Sequence, residues 1–499
     1  MKFSISNVVP AVVLFTGIAS ALSVHDSTSA LRRETAKPRR VHSLLINPPG
    51  QPAVPSLKAA TAAANAAGLN LDDIQADILI GMKKMKELFY FFGIDDVASF
   101  KTKLATDILP LITTTTQMLE NSTQPITLLN IAFSQRGLDA LNVSDSLGDS
   151  DFSNGQFNDA TNLNDPGTTN WVPEFTGTGI HGVLLFASDS VDNINDAVSS
   201  LESAMGNSIK KVYSLSGAAR PAPNAGHEHF GFLDGISNPA VNGFTSSPLP
   251  GQSNVSAGEI LVGEDGDSGR PDWAKGGSFL VFRQLKQLVP EFNKFLTDNP
   301  IVMPNLTLQQ GSDLLGARMV GRWKSGAPVE LSPLFDDPVL GGDRFRNNDF
   351  TFAETTDQSG CPFGAHIRKT RPRIDLGTDD TGRHIMRAGI PYGPEVSTDE
   401  ATANTTSTER GLAFISYQSS IGNGFKFLQQ TWANSEFFAH GQGPDPIIGA
   451  LKGAERDITG LDPTDTTKTT KLTTDFVVSR GGEYFFSPPL SAISGKLSV

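Results

Sequence analysis

The segment Glu228-His229-Phe230-Gly231-Phe232-Leu233-Asp234-Gly235-Ile236-Ser237-Asn238-Pro239 sets one carboxylate, Asp234, between two glycines and among bulky apolar residues. Gly231 and Gly235 let the backbone turn tightly and approach a ligand closely. A carboxylate in apolar surroundings either holds a specific partner or does chemistry. Taken alone, the segment reads as an Asp-Gly turn capping a core strand. Two downstream segments change that reading: Gly360-Cys361-Pro362-Phe363-Gly364-Ala365-His366-Ile367-Arg368 and Arg383-His384-Ile385-Met386-Arg387. They add an imidazole, which binds metals through a neutral nitrogen, and an arginine, which favours the ionised form of a nearby acid.

The elements that must position these groups follow one order twice. Glu87 to Phe92 reads as a strand, Asp95 to Leu111 as a helix and Ile126 to Phe133 as a strand. A polar loop from Ser144 to Asn170 follows. Then come a strand, Ile180 to Ala187, a helix, Val191 to Met205, and a strand, Ile209 to Leu215. That is β-α-β-β-α-β, the ferredoxin-like unit. The second half repeats it with larger insertions. Ser278 to Leu285 is a strand and Val289 to Leu296 a helix. Arg383 to Ala388 and Leu412 to Tyr417 are strands, Ile421 to Ala433 is a helix and Tyr484 to Phe486 a last strand.

A chain of 499 residues exceeds what one core usually serves, so two domains are expected. With 38% hydrophobic and 19% charged residues it has the composition of a globular protein. A net charge of −13 argues against nucleic acid or an anionic membrane as partner. Lys2, the apolar run Val8 to Ala21 and Ala19-Ser20-Ala21 read as a secretory signal, too short to span a bilayer. Arg32-Arg33 and Arg39-Arg40 read as processing sites of a propeptide. The expected division is therefore signal peptide 1–21, propeptide or linker 22–60, N-terminal domain 61–220 and C-terminal domain 221–499. The mature chain is expected to begin after Arg40 and to be extracellular, with no membrane attachment. Asn121, Asn142, Asn254, Asn305 and Asn404 are N-glycosylation acceptors. The single cysteine, Cys361, excludes an intramolecular disulfide and reads as a buried thiol.

Together the Asp234, His366 and Arg387 segments resemble the dye-decolorizing peroxidases, and specifically their secreted fungal branch. Gly231, Asp234 and Gly235 match the family's distal motif, His366 its proximal histidine and Arg387 its distal arginine. Shorter matches lie at Asn70-Leu71-Asp72-Asp73-Ile74-Gln75-Ala76-Asp77-Ile78-Leu79, at Ala317-Arg318-Met319-Val320-Gly321-Arg322-Trp323 and at Arg410-Gly411-Leu412-Ala413-Phe414. The likeness runs from about Asn70 to the C-terminus.

The resemblance implies an α+β fold of two ferredoxin-like domains whose antiparallel sheets enclose a haem pocket, with haem b held mainly by the second. It implies hydrogen peroxide as oxidant and small aromatic reductants: dyes, phenolics and lignin-derived compounds. His366 would ligate the iron, with its other ring nitrogen given to a carboxylate, for which Asp445 is the candidate. Asp234 would take a proton from peroxide and return it to the leaving oxygen, work contributing roughly 10²–10⁴-fold. Arg387 would keep Asp234 ionised and stabilise developing negative charge. Leu412 and Phe414 would wall the distal pocket, or equally be plain core. Arg373, in preference to Arg368, would pair with a haem propionate. Trp432, Tyr417 and Tyr392 are candidate electron relays, although a tryptophan on a helix is more often core. Asp379, Asp380 and Glu395 read as solvated loop charges rather than a manganese site.

His227 and His229 are the rivals of His366. Two other readings compete with the peroxidase: a haem carrier without turnover, which needs neither Asp234 nor Arg387, and a secreted hydrolase pairing Asp234 with His229. No Gly-x-Ser-x-Gly element or paired glycosidase signature supports the hydrolase.

Overall fold

The computed structural model describes residues 45–120, 124–352, 358–377 and 382–499. The expected signal peptide, the dibasic pairs, Asn121, Asp379 and Asp380 lie outside them. The first half runs β1 (Lys86–Ile94), α1 (Val97–Lys103), β2 (Leu128–Phe133), β3 (Gly182–Ser188), α2 (Val191–Met205) and β4 (Ile209–Ala218). The second runs β5 (Ser278–Gln287), α3 (Val289–Asp298), β6 (Met386–Arg387), β7 (Ile390–Tyr392), β8 (Gly411–Gln418) and β9 (Val477–Ser487).

The pairing order is β5-β9-β2-β3-β1-β4-β7-β8-β6, and β5 also pairs with β8. The sheet therefore closes into a barrel, which removes the exposed edges an open sheet would present. Each half contributes the ferredoxin-like order: β4-β1-β3-β2 in the first, β9-β5-β8-β6 in the second. The halves meet through single residue pairs, Phe486 with Phe133 and Gly217 with Tyr392.

Side-chain alternation builds two cores from the same strands. Phe89, Phe91, Leu280, Phe282, Ile415 and Phe485 fill the barrel interior. Tyr90, Phe92 and Phe133 belong to a second core that includes residues of α1 and α2, and Phe279, Tyr484 and Phe486 belong to it through Phe152, Phe425 and Trp273. Full burial of one such side chain contributes about 1.5–3 kcal/mol. Cores of this extent explain how the fold does without a disulfide; Cys361 is free and buried.

Several elements differ from the sequence expectation for identifiable reasons. Helix α1 stops at Lys103; a π-turn covers Leu104–Ile108 and a 3-10 turn Leu109–Leu111. Pro110 has no N–H to continue the α ladder. The loop from Ser144 holds two short helices, Ser150–Asn154 and Gln156–Asp159. The first is capped by Asp149, which accepts from the Phe152 amide at 2.9 Å. The helix expected over Ile421 to Ala433 is reduced to Phe425–Phe427 and a π-turn, Leu428–Ala433. Gly422 and Gly424 disfavour its first turn. Strand β9 is longer than expected because Gly481-Gly482 hides its period; the register shifts between Ser479 and Gly482. The expected strand Arg383 to Ala388 shrinks to Met386–Arg387, because Arg383 and His384 turn aside to Asn423 and Glu259.

Candidate active site

The groups singled out in the sequence line one cavity of about 290 Å³. Asp234, His366, Arg373, Arg387, Leu412 and Phe414 are all on its wall.

The Asp234 loop is shaped by its glycines: Gly231 has φ +99° and Gly235 φ +78°, which L side chains rarely adopt. Glu228 anchors the loop, accepting from the amides of Phe230 and Phe232 at 2.8 Å each and from the Gln287 side chain. Asp234 Oδ1 accepts from the Gly235 amide at 2.6 Å and from the Arg387 guanidinium. Burial pushes the Asp234 carboxyl up, but the Arg387 charge and hydrogen bond outweigh it, and Asp234 sits below the ordinary carboxylate value of 3.8.

Arg387 is carried by β6, and Asn238 locks that strand to the Asp234 loop. The Asn238 side chain donates to the Arg387 carbonyl at 2.9 Å and accepts from its amide at 3.3 Å. Asn238 lies in the same Glu228 to Pro239 segment as Asp234, yet only the structure gives it this role. Gln51 was likewise missed. It falls in the stretch assigned to propeptide or linker, and its side chain donates to the Asp234 carbonyl at 2.7 Å.

His366 begins the short helix α5 once α4 (Leu308–Val320) is in place before it; α5 spans His366–Thr370. The next residues of α5 hold it. Arg368 makes a two-pronged bond to Asp375, at 2.6 and 2.8 Å, and stacks on Phe363 at 4.3 Å. Lys369 donates to the carbonyls of Ser435, Phe438 and Gly443. That draws in the segment carrying Asp445. Asp445 is fully buried. Its Oδ2 lies 2.7 Å from His366 Nδ1, and its Oδ1 accepts from the Ile447 and Ile448 amides at 2.7 and 3.1 Å. Burial lowers the affinity of His366 for a proton, but Asp445 outweighs burial and raises it above 6.5. With Nδ1 committed to Asp445, Nε2 is the nitrogen left for a metal.

The other candidates separate cleanly. His229 is tied to the Tyr392 carbonyl at 2.9 Å and is off the cavity wall, as is His227. Asp234 and His229 therefore do not form the pair a hydrolase would need. Arg373 reaches the wall, but bonds to the Phe350 carbonyl at 2.6 Å and to Asn348 Oδ1 at 2.7 Å, and stacks on Phe350 at 3.9 Å. Arg371 also lines the cavity and escaped the sequence reading. Trp432 is buried on the wall, stacked on Phe438 with centroids 4.9 Å apart. Tyr417 and Tyr392 are core residues. Glu395 is paired with Arg220 at 2.6 Å. Among the described residues no cluster of His, Cys, Asp and Glu forms a metal site.

Two family models match the chain: the dimeric α+β barrel domain of dye-decolorizing peroxidases over residues 73–221, and the C-terminal domain of the same peroxidases over residues 318–439. The chain belongs to the dye-decolorizing peroxidase family. It is 55% identical to a dye-decolorizing peroxidase of Mycetinis scorodonius over 494 residues, covering 95% of this chain and 96% of that one. It is 56% identical to the dye-decolorizing peroxidase of Auricularia auricula-judae over 478 residues, covering 92% of each. The crystal structure of the Auricularia enzyme with imidazole superposes with a TM-score of 0.84, over 86% of this chain and all of that one. The protein is accordingly a haem b peroxidase of the fungal type, using hydrogen peroxide to oxidise dyes.

The cavity fits haem b by the chemistry of its walls. One imidazole, backed by a buried carboxylate, stands on one side. A carboxylate with an arginine partner lines the same cavity, apolar side chains such as Phe230, Phe232 and Ile448 lie among them, and Arg371 and Arg373 add positive charge to the lining.

Proposed function

We propose that His366 is the haem-iron ligand, Asp234 the acid–base group for peroxide and Arg387 its electrostatic partner. The observation that carries this reading is the pairing of Asp234 with Arg387 in the cavity that also holds the His366–Asp445 pair. When bound, haem b would store the two oxidising equivalents that peroxide delivers until reductants return the electrons. Asp234, held ionised, accepts the first proton of peroxide and passes it to the departing oxygen. Arg387 stabilises the negative charge that grows on that oxygen. Asp445 orients His366 and makes it a stronger donor. Leu412 and Phe414 wall the distal space, and Arg371 with Arg373 meets the haem carboxylates. Small aromatic reductants, including phenolics and lignin-derived compounds, are the substrates, and nucleic acid and membrane are not partners.

The reading extends to secretion through the signal-like N-terminus, with residues 61–220 and 221–499 as the two domains. The four described glycosylation acceptors, Asn142, Asn254, Asn305 and Asn404, are all exposed, which supports it.

The test is the rate of the peroxide-induced haem absorbance change by stopped flow, from about pH 3 to pH 8, a span that brackets the reference Asp and His values. Because Asp234 is depressed below 3.8, the wild-type rate persists through mildly acidic water and falls only as pH drops below that value. Asp234→Asn loses about 10²–10⁴-fold wherever Asp234 is ionised in the wild type, and the gap narrows as pH drops below 3.8. A wild-type acid limb near the histidine value, or normal reactivity of Asp234→Asn, rejects Asp234 as the base.

A further inference from the structure

A second cavity, of about 290 Å³, lies behind the Asp234 loop. Gly235 and Pro239 line both cavities, and Met386, the residue before Arg387, lines the second. Its walls mix apolar side chains, among them Phe244, Leu249 and Phe345, with polar ones such as Thr245, Ser247 and Gln252. Its charged residues are Lys83 and Arg344; no Asp or Glu lines it. In a chain of net charge −13 this is the reverse of the average surface.

Several cations of the fold have carboxylate partners: Arg270 with Asp267, Arg283 with Asp165, Arg410 with Glu400. Among the described residues, Lys83 and Arg344 have none. Lys83 also holds a left-handed backbone at φ +45°, fastened by the Ile46 amide donating to its carbonyl at 2.8 Å. Such conformations persist where the surroundings impose them, and they cluster at ligand clamps. Burial pushes the Lys83 ammonium down from its ordinary value, a penalty that a bound anion relieves. Phe345 leaves 58% of its surface exposed, with the Arg344 guanidinium 5.9 Å from its ring.

We propose that this second cavity binds a small aromatic anion, an aryl sulfonate or aryl carboxylate. Its ring lies among Phe244, Leu249 and Phe345, and its acid group is met by Lys83 and Arg344. Apolar burial holds the ring, and charge-assisted hydrogen bonds select the anion. The inference rests on the peroxidase reading and narrows the class of reductant it serves. Lining shared through Gly235 and Pro239 brings such a molecule beside the cavity where haem is held.

The experiment is calorimetry on the resting holoenzyme, without peroxide, using naphthalene-2-sulfonate and the uncharged naphthalene-2-methanol. The sulfonate binds, and more weakly as salt rises. Lys83→Gln combined with Arg344→Gln weakens sulfonate binding by about tenfold or more, and leaves the alcohol's affinity as it was. Sulfonate binding does not shift the Soret band, because the site is outside the haem cavity. In turnover the double variant raises KM for a sulfonated dye about tenfold more than KM for peroxide. Arg344→Gln alone, on a partly exposed loop, serves if the double variant does not fold. Unchanged sulfonate affinity in the variants, or a sulfonate-induced Soret shift, overturns the proposal. Peroxide consumption by the wild type with a neutral phenol tests the peroxidase reading separately.

Discussion

The two halves of the barrel share a strand order and differ in what their connections do. In the first half, α2 runs over the 15 residues Val191–Met205 and returns to β4 through only a three-residue 3-10 turn. Buried acids there stay structural. Asp77 is bonded to Tyr417 at 2.5 Å in the barrel interior, and Glu87 is buried on β1. In the second half the chain between α3 and β6 carries Arg322, His366, Arg371 and Arg373 to the cavity, and the chain between β8 and β9 supplies Asp445. The first half reaches that cavity through Asp165 and Pro166, in the connection between β2 and β3. One architecture therefore serves as scaffold in one copy and as site in the other. The difference lies in inserted segments whose polar groups are satisfied by cross-connections such as Lys369 to Gly443 and Arg318 to Gly460.

The largest break in that contrast comes from His366→Ala. The variant loses haem or changes its spin state, seen in the absorption spectrum, with peroxidase activity lost along with it. An unchanged spectrum moves the ligand elsewhere. Asp445→Asn keeps the cavity but removes the buried charge behind His366. Haem affinity or turnover drops about 10–100-fold, measured by haem transfer to an apo-acceptor and by initial rates. Asn238→Ala frees β6 from the Asp234 loop and lets Arg387 drift. The second-order rate with peroxide falls about tenfold, within what small misplacements cost, while the Soret band of the resting enzyme stays put.

The smallest effect on catalysis belongs to the first half. Burial raises Asp77 to about 6, against its ordinary 3.8. A group whose folded value is raised contributes stability that is fully present below the unfolded value. It is lost as pH rises through the folded one. Asp77 therefore stabilises the barrel most below pH 3.8, and that contribution is lost as pH rises past about 6. Asp77→Asn flattens the dependence of thermal midpoint on pH in that window, with no change in the rate with peroxide. A loss of rate in this variant would show that the interior of the barrel is coupled to the site.

Legibility along the chain followed the range of the interactions. Helix α2 has a Ser190 cap, a clean apolar face and Gly206 at its end, all local signals, and its expected limits match those observed. Gly231 and Gly235 announced a turned loop because no other residue adopts those angles freely. The same local reading overran at Ile421 to Ala433 and at Arg383 to Ala388, where partners distant in sequence decide. His384 bonds to Glu259 at 3.0 Å, 125 residues away.

The sequence by itself determined the periodicity of the strands, the glycine-bounded acid, three candidate histidines, His227, His229 and His366, and the absence of an intramolecular disulfide. Each of these is written in residue type and near-neighbour spacing. Only the tertiary structure decided that Asp234 meets Arg387, that His366 Nδ1 is spent on Asp445, that Asn238 and Gln51 brace the loop, and that Arg373 is bonded to carbonyls. Those pairings span from 23 to 183 residues. They form only when the barrel closes, because hydrogen bonds and ion pairs act over a few ångströms and hold no trace in local sequence.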